Sequence, residues 1–111
     1  MGAPRILIVD DERNIRLTLK AVLDAIGLEA DAVFQGEEAL QKLAEKTYAV
    51  MLLDLRLPGM DGLTVLSRAA ERLSETKVII ITAYGTVEAV VEAMKLGAVD
   101  FLQKPFEPTE V

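Results

Sequence analysis

A chain of 111 residues with 51% hydrophobic side chains is long enough for one packed domain and too short for two. Its 18 acidic residues outnumber its 12 basic ones, and the net charge of −6 disfavours direct nucleic-acid binding while suiting basic partners or a divalent cation. Neither cysteine nor histidine is present, which removes disulfides, thiolate chemistry, the commonest zinc ligands and the commonest acid–base catalyst.

The first element is the run ILIV at residues 6–9. It is too short for a helix, rich in β-branched residues and continuously apolar, as a strand buried on both faces should be. Ile15, Leu19, Val22, Leu23 and Ile26 then recur at helical spacing, and Gly27 is placed to end that helix. A weaker strand is expected at residues 29–33. A second helix follows Gly36, carried by Ala39, Leu40, Leu43 and Ala44. VMLL at residues 50–53 is the third strand. Asp61 suits the N-cap of a third helix with Leu63, Leu66, Ala70 and Leu73 on its apolar face. VIII at residues 78–81 is the fourth strand. Thr86 precedes a fourth helix whose apolar positions are Val87, Val90, Val91 and Met94, with Gly97 as its stop. A weaker fifth strand is expected at residues 99–102.

Strict alternation of strand and helix predicts an α/β fold: a parallel sheet, right-handed crossovers and helices on both faces. The end of the chain, QKPFEPTEV, places Pro108 where a fifth helix would begin. Residues 1–111 are therefore expected to form one domain that stops at the start of a truncated fifth helix. The apolar fourth strand needs cover on both faces, so an under-covered face near strands four and five is expected to favour a homodimer or marginal stability. No apolar run approaches the roughly 18 residues of a membrane span, and the N-terminus has no signal-peptide pattern. The expected setting is cytoplasmic, with no membrane contact.

In a parallel sheet all strand C-termini lie on one edge, and ligands bind there where the strand order reverses. Asp10 and Asp11 follow the first strand, Asp54 the third, Thr82 the fourth and Lys104 the fifth. Neighbouring strand ends lie about 5 Å apart, so adjacent first and third strands would gather three carboxylates near a hydroxyl and an ammonium. Singly, each residue has a plainer reading. Asp11 can cap the first helix, Asp10 and Asp54 can be solvated strand ends, Thr82 can be a turn residue, and Lys104 with Pro105 can be an ordinary loop. PGMDG at residues 58–62 is a turn followed by a helix cap.

Their joint placement carries the argument. Carboxylates this close raise one another's pKa, and a divalent cation relieves the conflict. Oxygen ligands without His or Cys point to a hard ion, Mg²⁺ with Mn²⁺ as a substitute. Mg²⁺ beside a carboxylate, a hydroxyl and a lysine points in turn to phosphoryl chemistry. Metal and lysine would neutralise phosphoryl oxygens while the hydroxyl bonds one of them. The carboxylate can itself accept the phosphoryl group as an acyl phosphate.

Four segments in this order, ILIVDDE, LLDLRLPGMDG, IIITAYG and GAVDFLQKPF, resemble the signature regions of the receiver domain of bacterial two-component response regulators. The resemblance covers essentially the whole chain. It implies a flavodoxin-like, doubly wound sheet of order 2-1-3-4-5. It also implies a phosphorylation-dependent switch served by a sensor histidine kinase, a signalling domain that catalyses its own Mg²⁺-dependent loading and unloading. Residue by residue, it makes Asp54 the phosphoacceptor and Asp10 and Asp11 the acidic pair that organises the metal, with Asp11 and Asp54 as direct ligands and the Arg56 carbonyl completing the set. Thr82 becomes the switch hydroxyl, assisted by the Ala83 N–H, and Lys104 the partner of a phosphoryl oxygen. The bond between Lys104 and Pro105 is expected to be cis. Phe101 takes the aromatic switch position, and Arg56 and Tyr84 stand where they would tune the lifetime of the phosphorylated state. The segment TAYGTVEAVVEAMKLGAVDFLQKPF is most similar to nitrogen-regulation receivers. Those precede an AAA+ ATPase that activates an alternative sigma factor and a helix-turn-helix domain, neither of which has a motif in this chain.

Three other classes fit less well. An aspartate-nucleophile phosphatase would carry a D-x-D pattern on its first strand and a cap. A flavin-binding protein of this fold would need a phosphate loop where Asp10 and Asp11 would repel the phosphate. A pure interaction module would have no need of the acidic set, Thr82 and Lys104 together.

Overall fold

The apolar runs of the sequence become the inner strands. The computed structural model describes residues 5–72, 75–83 and 86–104. In chain order these are β1 (Arg5–Val9), α1 (Arg13–Ala25), β2 (Glu29–Val33), α2 (Gly36–Glu45), β3 (Val50–Leu53), α3 (Gly62–Arg68), a 3-10 turn (Ala70–Arg72), β4 (Lys77–Thr82), α4 (Val87–Lys95) and β5 (Asp100–Gln103). The strands form one parallel sheet in the order β2-β1-β3-β4-β5, the doubly wound, flavodoxin-like arrangement anticipated above.

Side chains alternate across the sheet, so each inner strand feeds two cores. Leu7, Val9, Met51, Leu53, Val78 and Ile80 face α2, α3 and α4, where they meet Leu43, Val65, Leu66 and Ala93. Ile6, Ile8, Leu52 and Ile81 face the opposite way and meet Leu19 and Leu23 of α1. Leu7, Ile8, Leu53 and Ile81 are fully buried. Among the described residues α1 is the helix on that second face, and a groove of about 370 Å³ opens beside it between Leu23 and Ile26 on one side and Ile79 and Leu102 on the other.

Two helices stop as the glycines require. Gly27 and Gly97 have φ of 84° and 118°, which an L side chain would resist. In each case the next residue donates five positions back, Leu28 N to Leu23 O at 2.9 Å and Ala98 N to Ala93 O at 3.0 Å, the paired bonding of a Schellman motif. Asp61 and Thr86 cap α3 and α4 by accepting from Thr64 N at 2.9 Å and Ala89 N at 3.1 Å.

The structure departs from expectation in three places. α3 ends at Arg68, so Ala70 belongs to the 3-10 turn rather than the helix. β5 is displaced by one residue, and Val99 is 54% exposed. On α4, Val87, Val91 and Met94 are 78%, 46% and 39% exposed, while Ala93 is buried and Ala89 and Leu96 pack against the core. This helix is apolar on two sides, and the stripe Ala89, Ala93, Leu96 is the one that faces inward. Leu73, Tyr84, Pro105 and the expected fifth helix lie outside the described residues.

Candidate functional site

Asp54 follows three buried residues of β3 and is itself only 2% exposed. Its N–H donates to Val9 O at 2.9 Å, which ties it to the end of β1. Oδ1 accepts from the Arg56 N–H at 2.9 Å, and Oδ2 accepts from Lys104 Nζ at 2.8 Å. The backbone beyond it folds back tightly, with Gly62 N donating to Leu55 O at 3.0 Å. A Cβ on Gly62 would overlap the Asp54 carbonyl oxygen and lie 2.6 Å from the Leu55 Cα, so the absence of a side chain there lets α3 begin against the Asp54 backbone.

Asp10 is fully buried at the end of β1, and its N–H donates to Val33 O at 3.1 Å. Its Oδ1 accepts from Glu12 N at 2.8 Å, and its carbonyl accepts from Arg16 Nη1 at 2.9 Å. Oδ2 lies 2.7 Å from Lys104 Nζ but has no hydrogen bond of acceptable direction, so that contact is Coulombic. Burial pushes the Asp10 carboxyl above its ordinary value, outweighing Lys104 and the Glu12 N–H, which pull it down. Burial also opposes the charge on Lys104. The Asp10 and Asp54 carboxylates outweigh it and hold the ammonium above its ordinary value.

Asp11 is exposed and does not cap α1; the N-cap residue is Glu12, whose side chain makes no cap bond. Asp10, Asp11, Glu12 and Asp54 each offer a carboxylate oxygen, all within 4.8 Å of one another. This set can hold a metal ion. Its donors are all oxygen, its charge is strongly negative, and the buried Asp10 Oδ2 has acceptor capacity to spare, which is the environment a hard divalent cation takes.

The other expected residues fall at varying distance from this cluster. Thr82 is fully buried as the last residue of β4, and its carbonyl accepts from Lys104 N at 3.0 Å. Ala83 follows at the surface, and Arg56 is exposed two residues beyond Asp54. Phe101 is half-buried, paired in register with Ile80, and packs against the core that α2, α3 and α4 cover. Tyr84 lies outside the described residues. Two contributors were not singled out by the sequence pattern: Glu12, 3.1 Å from Lys104 Nζ, and Arg16, which holds the Asp10 carbonyl and lies 5.8 Å from the centre of the Phe34 ring. Glu12 could have been noticed as the third acid in DDE; a lone Arg six residues after Asp10 gave no signal.

The chain matches the family model of the response regulator receiver domain over residues 6–111. It is 43% identical over 103 residues to the DNA-binding transcriptional regulator NtrC of Escherichia coli K12, a match covering 93% of this chain and 22% of that protein. To the regulatory protein AtoC of the same organism it is 41% identical over 107 residues, 96% of this chain and 23% of that one. Among solved structures, a CheY-like receiver domain protein from Methanospirillum hungatei JF-1 superposes with a TM-score of 0.94 at 31% identity, covering 98% of this chain and 87% of that one. NtrX from Brucella abortus superposes with a TM-score of 0.88 at 34% identity, covering 97% of this chain and 25% of that one. The chain spans under a quarter of the length of the two curated relatives. No helix among the described residues is long and apolar enough to cross a membrane.

Proposed function

The chain belongs to the response regulator receiver domain family, a family of signalling domains, and on that premise we propose that it is a switch operated by phosphorylation of Asp54. The observation that carries this reading is a buried, rigidly held carboxylate with an ammonium 2.8 Å from it and three further carboxylates around it. The donor class is the phosphohistidine of a sensor histidine kinase. The P–N bond breaks as an Asp54 oxygen forms the new P–O bond, and the leaving imidazole nitrogen keeps the electron pair and takes a proton from solvent.

Lys104 neutralises phosphoryl oxygens as charge redistributes. Asp10, Asp11, Asp54 and the Arg56 carbonyl are the residues that would hold Mg²⁺, with Mn²⁺ as its substitute. When bound, that ion supplies further neutralisation of the phosphoryl group. The Thr82 hydroxyl and the Ala83 N–H would bond the transferred group. The product adds roughly one to two negative charges at the sheet edge. Withdrawal of Thr82 toward it, with inward rotation of Phe101, would bias α4 and β5 toward a second population. Water then hydrolyses the acyl phosphate, with Arg56 and Tyr84 tuning its access, so the domain unloads itself.

Residues 1–111 act as one such unit in the bacterial cytoplasm. Its similarity to NtrC, a DNA-binding transcriptional regulator, supports an output in transcription through an attached AAA+ ATPase and DNA-binding domain, with no nucleic-acid contact by the receiver itself. Homodimerisation belongs to the same proposal. The test is incubation with Mg²⁺ and acetyl phosphate followed by intact mass. A labile phosphoryl adduct, absent from Asp54→Asn, supports the reading, and an unmodified parent chain contradicts it.

A further inference from the structure

Glu12 is one of the carboxylates around Asp54, but the phosphoacceptor reading gives it no role of its own. It is the N-cap residue of α1, its side chain makes no cap bond, and that side chain is 55% exposed. A glutamate there is already served by water and by the positive end of the helix. Its Oε1 nevertheless lies 3.1 Å from Lys104 Nζ, 92 residues away in sequence. The ammonium therefore divides itself among Asp10, Asp54 and Glu12, at 2.7, 2.8 and 3.1 Å.

All three partners belong to the cation cluster; Asp10 and Asp54 are its buried members, and Glu12 stands at the solvent rim. A divalent cation drawn to Asp10 and Asp54 competes with the ammonium for the same oxygens and repels it. Something must then keep Lys104 beside Asp54, because the side chain is long and water is close. We propose that Glu12 is a positioning residue that tethers Lys104 at the rim when a divalent cation occupies the inner carboxylates, keeping the ammonium in reach of the phosphoryl group. This rests on the phosphoacceptor reading of Asp54, but the tether itself can be measured without any phosphoryl transfer.

The experiment has two arms. In the first, the parent chain, Glu12→Gln, Lys104→Met and the double variant are melted with chelator and again at saturating Mg²⁺. The tether requires that the two substitutions remain coupled, with a non-additive effect on Tm, in the Mg²⁺ series. Coupling that disappears on adding Mg²⁺ overturns it. In the second arm, Mg²⁺ affinity is measured by calorimetry and the phosphorylation rate by acetyl phosphate at saturating Mg²⁺. Glu12→Gln should slow the rate by up to about fivefold, the upper end of what a solvent-exposed ion pair is worth, and shift the Mg²⁺ Kd by less than that. Glu12→Gln added to Lys104→Met should change the rate no further. A Kd weakened with the saturated rate intact would make Glu12 a metal ligand and overturn the proposal, as would a rate and Kd that both stay unchanged. Glu12 is exposed, so its variant leaves the core untouched. If the parent chain takes no phosphoryl group, the reading of Asp54 fails while the first arm still decides the tether.

Discussion

Lys104 Nζ and Asp54 Oδ2 stand 2.8 Å apart, so a buried ion pair joins the end of β5 to the end of β3 across the intervening β4. The two residues are also held by backbone, Lys104 N to Thr82 O at 3.0 Å and Asp54 N to Val9 O at 2.9 Å. The sheet edge is thus stitched by polar contacts that no apolar core could supply, and the same contacts assemble the site.

Removing the lysine should expose that dependence. Lys104→Met leaves Asp10 and Asp54 buried without their cation, a change that typically costs about 3–5 kcal/mol. Chelator-treated protein is expected to melt well below the parent. Adding Mg²⁺ should raise the Tm of the variant more than that of the parent, because the ion replaces the missing charge. Calorimetric melts with and without the ion check both statements.

The alkaline limb of stability should carry the same signature. The folded protein holds Lys104 above the usual 10.5, so its contribution is fully present below pH 10.5 and is lost as pH rises through the higher folded value. Denaturant titrations of the parent across that range should show a loss that Lys104→Met lacks.

Gly62→Ala should damage the site from the backbone side. The new Cβ would meet the Asp54 carbonyl and the Leu55 Cα, neither of which can swing away. Overpacking of this kind costs on the order of 1–3 kcal/mol, and here it falls on the segment that fixes the acceptor. The expected result is a lowered Tm together with weakened Mg²⁺ binding by calorimetry. A normal Mg²⁺ affinity would mean that the α3 start does not govern Asp54.

At the opposite edge of the sheet, Tyr48 is fully buried with its hydroxyl donating to Asp31 Oδ2 at 2.6 Å. Burial alone would raise the Asp31 carboxyl, but the Tyr48 hydroxyl and the Lys46 ammonium outweigh it and hold it below 3.8. Its contribution is therefore present above pH 3.8 and lost as pH falls through the lower folded value. Tyr48→Phe should move Asp31 upward in an NMR titration and cost about 1.5–3 kcal/mol at neutral pH, the usual worth of a hydrogen bond to a charged group.

The inner strands were legible because burial on both faces leaves an unbroken apolar run, as in ILIV, VMLL and VIII, and the residue after each run marks the sheet edge. That is why the strand-end positions of Asp10, Asp54 and Thr82 are readable from the sequence. The outer layer was less legible. On α4 both Val87, Val91, Met94 and Ala89, Ala93, Leu96 have helical spacing, and hydrophobicity favours the first set. The sheet took the second, because alanine allows a close approach and the larger side chains were left outside. Glu12 was hidden for a different reason. Its meaning lies in a lysine 92 residues away, and only the fold brings the two together.

The central claim is that Asp54 accepts a phosphoryl group. The most direct measurement is to load the protein with acetyl phosphate and Mg²⁺, reduce the acyl phosphate with borohydride and locate the product by peptide mass spectrometry. The account predicts conversion of residue 54 to homoserine in the loaded protein, and none when Mg²⁺ is withheld by chelation. A loaded protein reduced at Asp10 or Asp11 instead, or one that carries no reducible acyl phosphate at all, would contradict it.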